Sequence, residues 1–231
     1  MNNYHDEQEE NHWLSVSDLM SGLMMVFLFI SVALMRSAFL ERDKIREIAV
    51  AYQENQVAIY QALQTEFEND LPKWHATIDE DTLTFTFQSP DVLFKNGEIE
   101  LSDQYQSLLS NFFPRYMKVL TPFKSSINEI RIEGHTSSIW NQYSSKQAAY
   151  FKNMELSQGR TRSVLDYVYN IPSSKPYRPW IKANIAAVGL SSSKPILDKR
   201  GQENQAQSRR VSFRVITNSD IQIKRILGES E

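Results

Sequence analysis

The longest apolar run of the chain covers residues 19–35 and reads LMSGLMMVFLFISVALM, seventeen residues without a charged side chain. At about 1.5 Å of rise per residue, such a helix crosses most of a bilayer hydrocarbon core of roughly 30 Å. Four apolar residues extend the run at its two ends: Trp13, Leu14, Phe39 and Leu40. The pattern predicts a transmembrane helix over residues 15–39, preceded by an N-terminal tail, residues 1–14.

A cleaved signal peptide would also be apolar, but it would begin with a basic segment and end in a small-x-small cleavage site. This chain begins with acidic residues and has no Lys or Arg before Arg36. A helix buried in a soluble core is rarely apolar on all faces when the domain is this small. The spanning helix is therefore the favoured interpretation.

Residues 36–70 are rich in Glu, Lys, Arg, Gln and Ala, without Gly or Pro before Pro72. Their apolar positions recur at roughly helical spacing: Ile45, Ile48, Tyr52, Ile59, Leu63 and Phe67. This pattern predicts a helical stalk or a short dimerising coil, which we place at residues 40–75. An amphipathic helix packed on its own domain is equally compatible with it.

Beyond Pro72 the apolar pattern changes to a period of two, which is typical of strands. The predicted strands are Thr82–Phe87, Ile127–Glu133, Asn184–Leu190 and Val211–Ile216. The predicted helices are Ser102–Val119, Leu156–Tyr169 and Gln202–Ser208, with a long polar loop at Ser137–Phe151. The order β-α-β-α-β-β predicts an α+β sandwich with helices on one face of a mixed sheet, over residues 76–220, and a C-terminal tail, residues 221–231.

Composition narrows the classes of function. The net charge of -3 and the pI near 5.9 give no basic field that would attract nucleic acid. Without cysteine there is no disulfide, thiolate metal site or Cys nucleophile, and the four histidines lack metal-binding spacing. We therefore expect no metal, no cofactor, no direct nucleic-acid contact and no enzymatic activity.

Asp18 lies at the start of the apolar run, within a turn of Ser15, Ser17 and Ser21. One interpretation is that the sequence SVSD caps the N-terminus of the helix. The other is that the carboxyl group lies inside the bilayer, facing a partner helix or a water-filled path, where it binds and releases a proton. Ionisable residues in spanning helices are functional candidates because a buried charge is costly.

Five blocks follow one another in the C-terminal part: LTFTFQSPDVLFKNGEIELS, IRIEGHTSS, NMELSQGRTRSVLDYVY, IAAVGLSSSKPI and SRRVSFRVI. Together, over about residues 80–217, they resemble the OmpA-like peptidoglycan-binding domain. The resemblance implies an arginine, Arg160, that grips the carboxylate of a diaminopimelate-type peptide through bidentate, charge-assisted bonds. The implied peptidoglycan-binding residues are Thr136, Ser137, Asn153, Leu156 and Arg160.

The sequence departs from the family pattern at one position, because the motif ends in Thr-Asp and Ser137 replaces the aspartate here. The family's partner for the ligand ammonium is therefore missing. Glu155 in the helix, or an acid elsewhere, would have to substitute for it. An ordinary solvated helix residue remains the alternative interpretation of Arg160.

The stretch WLSVSDLMSGLMMVFLFISV resembles the helix of MotB-type stator subunits, in which an aspartate precedes a run rich in Met and Leu. With its short acidic N-terminus, the chain is most similar to the MotB-like B subunits of the Zorya anti-phage defence system, and less closely to flagellar stator subunits. The resemblance implies a homodimer whose helices pass through a ring of MotA-like A subunits, usually five. It also implies ion flow through Asp18, with protons expected and sodium as the alternative.

The implied location is the inner membrane, with a cytoplasmic N-terminus and a periplasmic C-terminal domain. The positive-inside rule gives the opposite orientation, because the basic residues near the helix all follow it: Arg36, Arg42, Lys44 and Arg46. We follow the identity of the C-terminal domain here. The rival functions are a purely structural wall anchor and an envelope hydrolase using His135 and Glu133, for which no nucleophile-elbow or metal spacing is present.

Overall fold

In the computed structural model the chain forms two compact units, Met1–Val50 and Ala51–Glu231. The structure describes residues 3–88, 93–95 and 97–218, and it describes side chains for these ranges except at 3–15 and 51–52. The predicted C-terminal tail, residues 221–231, lies outside the described residues.

Helix α1 spans Asn3–Phe67, and its apolar part belongs to the first unit. The large apolar side chains from Val16 to Met35 are exposed in the isolated chain. By length and composition, α1 is the one helix among the described residues that could cross a membrane. An apolar surface of this extent needs lipid or another protein to cover it. The prediction of a long apolar N-terminal helix is therefore confirmed.

The second unit contains the end of α1 and a mixed layer of strands and helices. In chain order its elements are β1 (Ala76–Asp79), β2 (Thr84–Phe87), α2 (Asp103–Leu120), a 3-10 turn (Thr121–Phe123), β3 (Ile127–His135), α3 (Lys146–Asn170), a 3-10 helix (Pro172–Tyr177), α4 (Arg178–Asn184), β4 (Ile185–Gly189), α5 (Gln205–Ser208) and β5 (Arg210–Thr217). The two long helices begin at serine caps. Ser102 accepts a hydrogen bond from the backbone N–H of Tyr105, and Ser145 accepts one from Ala148.

The described strands form one five-stranded sheet in the order β1-β2-β5-β3-β4. Strand β3 pairs with β4 in parallel, and the other neighbouring strands are antiparallel. A parallel pair needs a crossover connection, and α3 supplies most of it. The carboxyl ends of β3 and β4 consequently lie side by side, with Gly134 opposite Gly189.

Aromatic side chains fill the core between the helices and one face of the sheet. Phe112 of α2 lies at the centre of this cluster, 4.6 Å from the ring centroid of Phe85 and 5.2 Å from that of Phe213. The last turns of α1 contribute Ile59, Leu63 and Phe67, which are fully buried. The interpretation as an amphipathic helix packed on its own domain is thus confirmed for the end of the predicted stalk.

Arg115 fixes α2 to the last turn of α1 through several bonds. Its guanidinium donates to the Glu66 carboxylate at 2.7 Å and to the Asp70 carboxylate at 2.8 Å, and it lies 4.8 Å over the Phe67 ring. These bonds raise the pKa of Arg115, although partial burial opposes them. The guanidinium therefore remains charged and holds the two helices together.

The predicted α+β class is confirmed, with differences in detail, among them the unpredicted helix α4. Strand β1, which pairs with β2 in a hairpin, is absent from the sequence prediction. The predicted helix Gln202–Ser208 shortens to α5. The predicted loop Ser137–Phe151 is wrong at its end, because α3 begins at Lys146 behind the Ser145 cap.

Candidate functional site

The turn after β3 carries the first two predicted site residues, Thr136 and Ser137. Both are buried, and the backbone N–H of Thr136 donates to the carbonyl of Ser191 at 2.9 Å. The Oγ1 atom of Thr136 is buried without a hydrogen-bond partner in the described part of the chain. The turn is therefore held by its backbone, and the Thr136 hydroxyl is left for another contact.

Asn153 joins this turn to helix α3. Its amide Nδ2 donates to the carbonyl of Ser137 at 3.1 Å and lies 3.5 Å from the carbonyl of Ile139. Asn153 is buried, whereas Leu156, one turn further along the helix, is half-buried. The structure thus brings together Ser137 and Asn153 as expected from the sequence.

Ser191 is a site residue that the sequence analysis missed. Its carbonyl accepts from the backbone N–H of Thr136, and its own N–H donates to the Ser157 hydroxyl at 3.1 Å. The Ser191 hydroxyl donates to the Tyr150 carbonyl at 2.7 Å. Its φ of 50° lies in the left-handed region, which is costly for a serine. Ser191 therefore connects the turn to helix α3 at the expense of backbone strain.

Two glycines let α3 approach the ends of β3 and β4 directly. A Cβ added at Gly134 would lie 2.8 Å from the carbonyl oxygen of Ser157, and one added at Gly189 would overlap the backbone N of Gln158. Both neighbours are backbone atoms, which have little freedom to move. The helix segment that carries Arg160 is therefore fixed against the sheet.

Arg160 lies on α3 and is buried, with 8% of its surface exposed. Its Nε donates to the carbonyl of Glu98 at 2.9 Å, its Nη2 donates to the carbonyl of Lys95 at 3.2 Å, and its guanidinium lies 4.7 Å over the Phe94 ring. The interpretation of Arg160 as an ordinary solvated residue is wrong. Its planar, permanently charged group is held in one orientation before any ligand arrives.

A carboxylate does stand beside the turn, although Ser137 replaces the family's aspartate. Glu203 accepts from the backbone N–H of Ser138 at 3.0 Å and also from the Ser138 hydroxyl. Glu155, the substitute suggested by the sequence, is exposed on α3. Glu203 lies far along the chain from this turn, and no local pattern in the sequence predicts the contact.

Glu133 and His135 form a buried pair just before the turn, with His135 Nε2 3.5 Å from the Glu133 carboxylate. Burial lowers the pKa of His135, although Glu133 opposes the change. Burial alone would raise the pKa of Glu133, but His135 and the charges of Arg214 and Lys194 lower it. The described residues contain no cluster of three or more acidic or histidine side chains that would hold a metal ion.

Asp18 lies in the first unit, well inside α1. Because α1 begins at Asn3, Asp18 is not at the helix N-terminus, and the interpretation of SVSD as its cap is wrong. Asp18 is exposed in the isolated chain. One turn later Gly22 has no atom within 4 Å of the place where a Cβ would lie, so this part of the helix surface is open.

The fold and the site define an OmpA-type domain joined to an apolar helix, and the OmpA family matches residues 93–209. Over 223 residues the chain is 52% identical to the Zorya protein ZorB of Escherichia coli, which covers 96% of this chain and 95% of that protein. The chain therefore belongs to the ZorB family.

Two further similarities are consistent with this assignment. A solved structure described as a MotB-like protein from Desulfovibrio vulgaris matches with 25% identity and a TM-score of 0.52, covering 74% of this chain and 94% of that one. The uncharacterised protein YtxE of Bacillus subtilis is 29% identical over 122 residues, which is 53% of this chain and 43% of that protein.

Proposed function

We propose that this chain is the stator-type B subunit of an ion-driven inner-membrane motor used in anti-phage defence, and that its C-terminal domain anchors the motor to peptidoglycan. The observation that carries the proposal is the combination within one chain of an apolar helix bearing Asp18 and an OmpA-family domain. The similarity to ZorB along nearly the whole chain supports the defence role. The MotB-like neighbour supports the class of motor.

Asp18 is the proposed ion carrier. An ionised carboxyl group in lipid is costly, so it needs a partner helix or a path of water. The helix positions three before, three after and four after Asp18 are Ser15, Ser21 and Gly22, and small residues allow a second helix to approach closely. A MotA-like ring, expected as five A subunits around two copies of this chain, would enclose that surface.

Protonation is the proposed switch of the motor. Asp18 takes a proton from the periplasmic side, becomes neutral, and releases the proton toward the cytoplasm. Each cycle changes the charge that faces the A ring, and therefore the contacts that the ring makes. The B subunits remain stationary because the wall holds them, so the torque appears in the ring.

Arg160 and Glu203 are the proposed ligand-gripping groups of the wall site. The guanidinium is suited to a stem-peptide carboxylate, since charge-assisted bonds to a planar carboxylate are short and directional. Glu203 supplies the acid for the ligand ammonium that Ser137 cannot provide. Thr136, Ser137, Asn153 and Leu156 form the adjoining wall of this site.

The proposed topology places the N-terminus in the cytoplasm and the C-terminal domain in the periplasm. The basic residues after the helix, which argue against this orientation, alternate with Glu41, Asp43 and Glu47. Arg42 lies 3.8 Å from Asp43, and both side chains are exposed. Acidic residues count little in the positive-inside rule, so the proposed orientation rests on the family of the C-terminal domain.

Substitution of Asp18 tests the proposal. Asp18→Asn keeps the shape of the side chain but cannot ionise, so it is expected to abolish both phage protection and proton flux in cells that co-express the A partner. Asp18→Glu retains the ionisable group and should keep part of both. Ser17→Ala, at the neighbouring position, is the matched control and should protect fully.

Immunoblotting of membrane fractions would show that each variant is inserted at the wild-type level. Full protection by Asp18→Asn would contradict the motor assignment, and the chain would then be a wall anchor without an ion pathway.

A further inference from the structure

A groove of about 490 Å³ lies between helices α3 and α4 and the start of the edge strand β4. Its floor is apolar and is formed by four side chains: Leu165, Tyr169, Ile181 and Ile185. Leu165 and Tyr169 are half-buried, so part of this apolar surface faces solvent. The wall site uses none of these residues, because it lies at the other end of β4, beside Gly189.

The two helices that form the groove are fixed to each other. Arg178, the first residue of α4, donates from Nε to the carbonyl of Tyr169 in α3 at 2.9 Å. Its guanidinium also lies 5.1 Å over the Tyr169 ring. The groove is therefore already formed before it is occupied, which lowers the cost of ordering on binding.

Charged side chains stand at the rim of the groove. Arg162 of α3 and Lys182 of α4 are both exposed there, and the exposed Asp166 lies one turn after Arg162. The rim thus carries two positive charges and one negative charge. An occupant that combines apolar side chains with an excess of acidic ones would complement it.

The C-terminal segment, residues 219–231, has this composition. It lies outside the described residues and reads SDIQIKRILGESE. Four of its residues are large and apolar: Ile221, Ile223, Ile226 and Leu227. Its acidic residues outnumber its two basic ones, Lys224 and Arg225, and are Asp220, Glu229 and Glu231. Solvated segments are typically poor in large apolar residues, so this pattern indicates a segment that needs an apolar surface.

The last described residue places the start of the C-terminal segment near the groove. The side-chain amide of Asn218 donates to the carbonyl of Ser125 at 2.8 Å. The preceding residue, Lys124, lies 5.8 Å over the ring of Trp180, which is next to Ile181 in α4. An extended segment of this length spans about 40 Å, so the residues after Asn218 can reach the groove within one chain.

We propose that the C-terminal segment docks into this groove of its own chain. Its apolar residues cover the exposed part of the floor, and Glu229 and Glu231 lie against Arg162 and Lys182. Exposed ion pairs add little and weaken with salt, so the apolar contact supplies most of the binding. The docked segment also covers the side of the domain next to β4, where an open strand edge would otherwise be available for pairing with other chains.

Site-specific photo-crosslinking of the full chain in detergent micelles tests the proposal. With p-benzoylphenylalanine in place of Asp166 in the groove, crosslinks into residues 219–231 are expected, in chains that run as monomers on a denaturing gel. Mass spectrometry identifies the crosslinked peptides. The same photo-crosslinker in place of Lys199, which is exposed but does not line the groove, is the control and should give no crosslink to this segment.

Two pairs of substitutions separate the apolar contact from the charges. Ile223→Asp with Ile226→Asp should lower the crosslinking yield about tenfold or more, because two apolar side chains lose their contact. Gln222→Asp with Ser230→Asp adds the same charge without removing an apolar residue and should crosslink as the unsubstituted segment does. Arg162→Glu with Lys182→Glu should lower the yield about twofold to fivefold, whereas Lys199→Glu with Arg200→Glu should leave it unchanged.

The other outcomes each overturn the proposal. Crosslinks to residues 219–231 that appear only in the dimer band would show that the segment of a second copy occupies the groove. Absence of crosslinks to the segment, or an equal yield from the Lys199 position, would show that the segment does not dock there. An unchanged yield in Ile223→Asp with Ile226→Asp would exclude the apolar contact.

Discussion

Glu203 accepts a hydrogen bond from the backbone N–H of Ser138 at 3.0 Å, which fixes a carboxylate beside the turn that follows β3. The two residues are 65 positions apart, so the fold alone creates this contact. Ser138 directly follows Ser137, and Ser137 occupies the position at which the family motif has its aspartate. The Glu203 carboxylate is therefore next to that position in the chain. An acid beside this turn thus comes from a different segment of the chain, and we propose that it replaces the aspartate of the motif.

We expect Glu203→Gln to weaken binding of a diaminopimelate stem peptide roughly threefold to fivefold, because the amide still accepts from Ser138 but carries no charge for the ligand ammonium. Ser137→Asp should strengthen binding and restore the affinity of the Glu203→Gln variant. Titration of the full chain with the peptide measures both effects. Glu155→Gln is the control and should bind as wild type; weaker binding by this variant, with Glu203→Gln unchanged, would identify Glu155 as the acid instead.

Arg160→Ala is expected to lower stem-peptide affinity about tenfold to a hundredfold, the usual effect of removing a hydrogen bond to a charged group. Arg160→Lys should recover little of this loss, because an ammonium cannot reproduce the planar bonds to the carbonyls of Lys95 and Glu98. Co-sedimentation with purified cell-wall sacculi provides the measurement. Arg162→Ala, exposed on the same helix, is the matched control. Equal sedimentation of wild type and Arg160→Ala would exclude Arg160 from the wall site.

Gly134→Ala and Gly189→Ala should each lower the free energy of unfolding by about 1–3 kcal/mol or more, because the added methyl group meets backbone atoms of α3. Gly159→Ala is the contrasting variant. Its Cβ would lie 2.7 Å from the γ2 methyl group of Ile99, a side chain that is 47% exposed and would have to shift. Because no backbone atom is met there, Gly159→Ala should lower the free energy of unfolding less than Gly134→Ala or Gly189→Ala. Urea unfolding monitored by tryptophan fluorescence would rank the three, and equal effects would contradict the close packing.

The Glu133–His135 pair predicts that the domain loses stability as the pH falls. The pKa of His135 is lowered in the folded state, so below about 6.5 the unfolded chain binds a proton that the folded chain does not. The pKa of Glu133 is also lowered, and the same sign applies below about 4.5. Each group adds at most about 1.4 kcal/mol of destabilisation per pH unit.

Urea midpoints of the full chain at pH 7.5, 6.5 and 5.5 test this dependence. His135→Gln should reduce the loss of stability between the upper and lower pH, whereas His75→Gln, at an exposed position, should follow the wild type. An identical slope for wild type and His135→Gln would show that His135 does not contribute.

The main features of the fold could be predicted from the sequence because local patterns encode them. Polar and apolar residues alternate at Thr84–Phe87 because only one face of that strand is buried. The uncharged run 19–35 predicts a helix because it is long and apolar throughout. The start of α3 lies at the Ser145 cap, inside the segment predicted as a loop, so the capping serine is the local signal for it. Strand β1 was missed because four residues give too short an alternation.

The site was only partly predictable, because several of its contacts join distant segments. Ser191 acts through a left-handed backbone conformation that a serine does not signal in sequence. Glu203 contacts a residue 65 positions earlier, and Arg160 donates to carbonyl groups of residues more than 60 positions earlier. The motif predicts Arg160 and Asn153 as site residues, but it does not predict the groups that hold them.

If the domain is anchored to the wall as we propose, the glycines at the ends of β3 and β4 have a mechanical consequence. Because no side chain separates the strands from the helix at these two positions, the backbone of α3 packs directly on them and has little room to shift under a pulling force. A load on Arg160 would then pass directly into β3, which is hydrogen-bonded on both sides by β5 and β4. The force would be distributed over the backbone hydrogen bonds of β3 with β4 and β5, so the domain would resist unfolding under load.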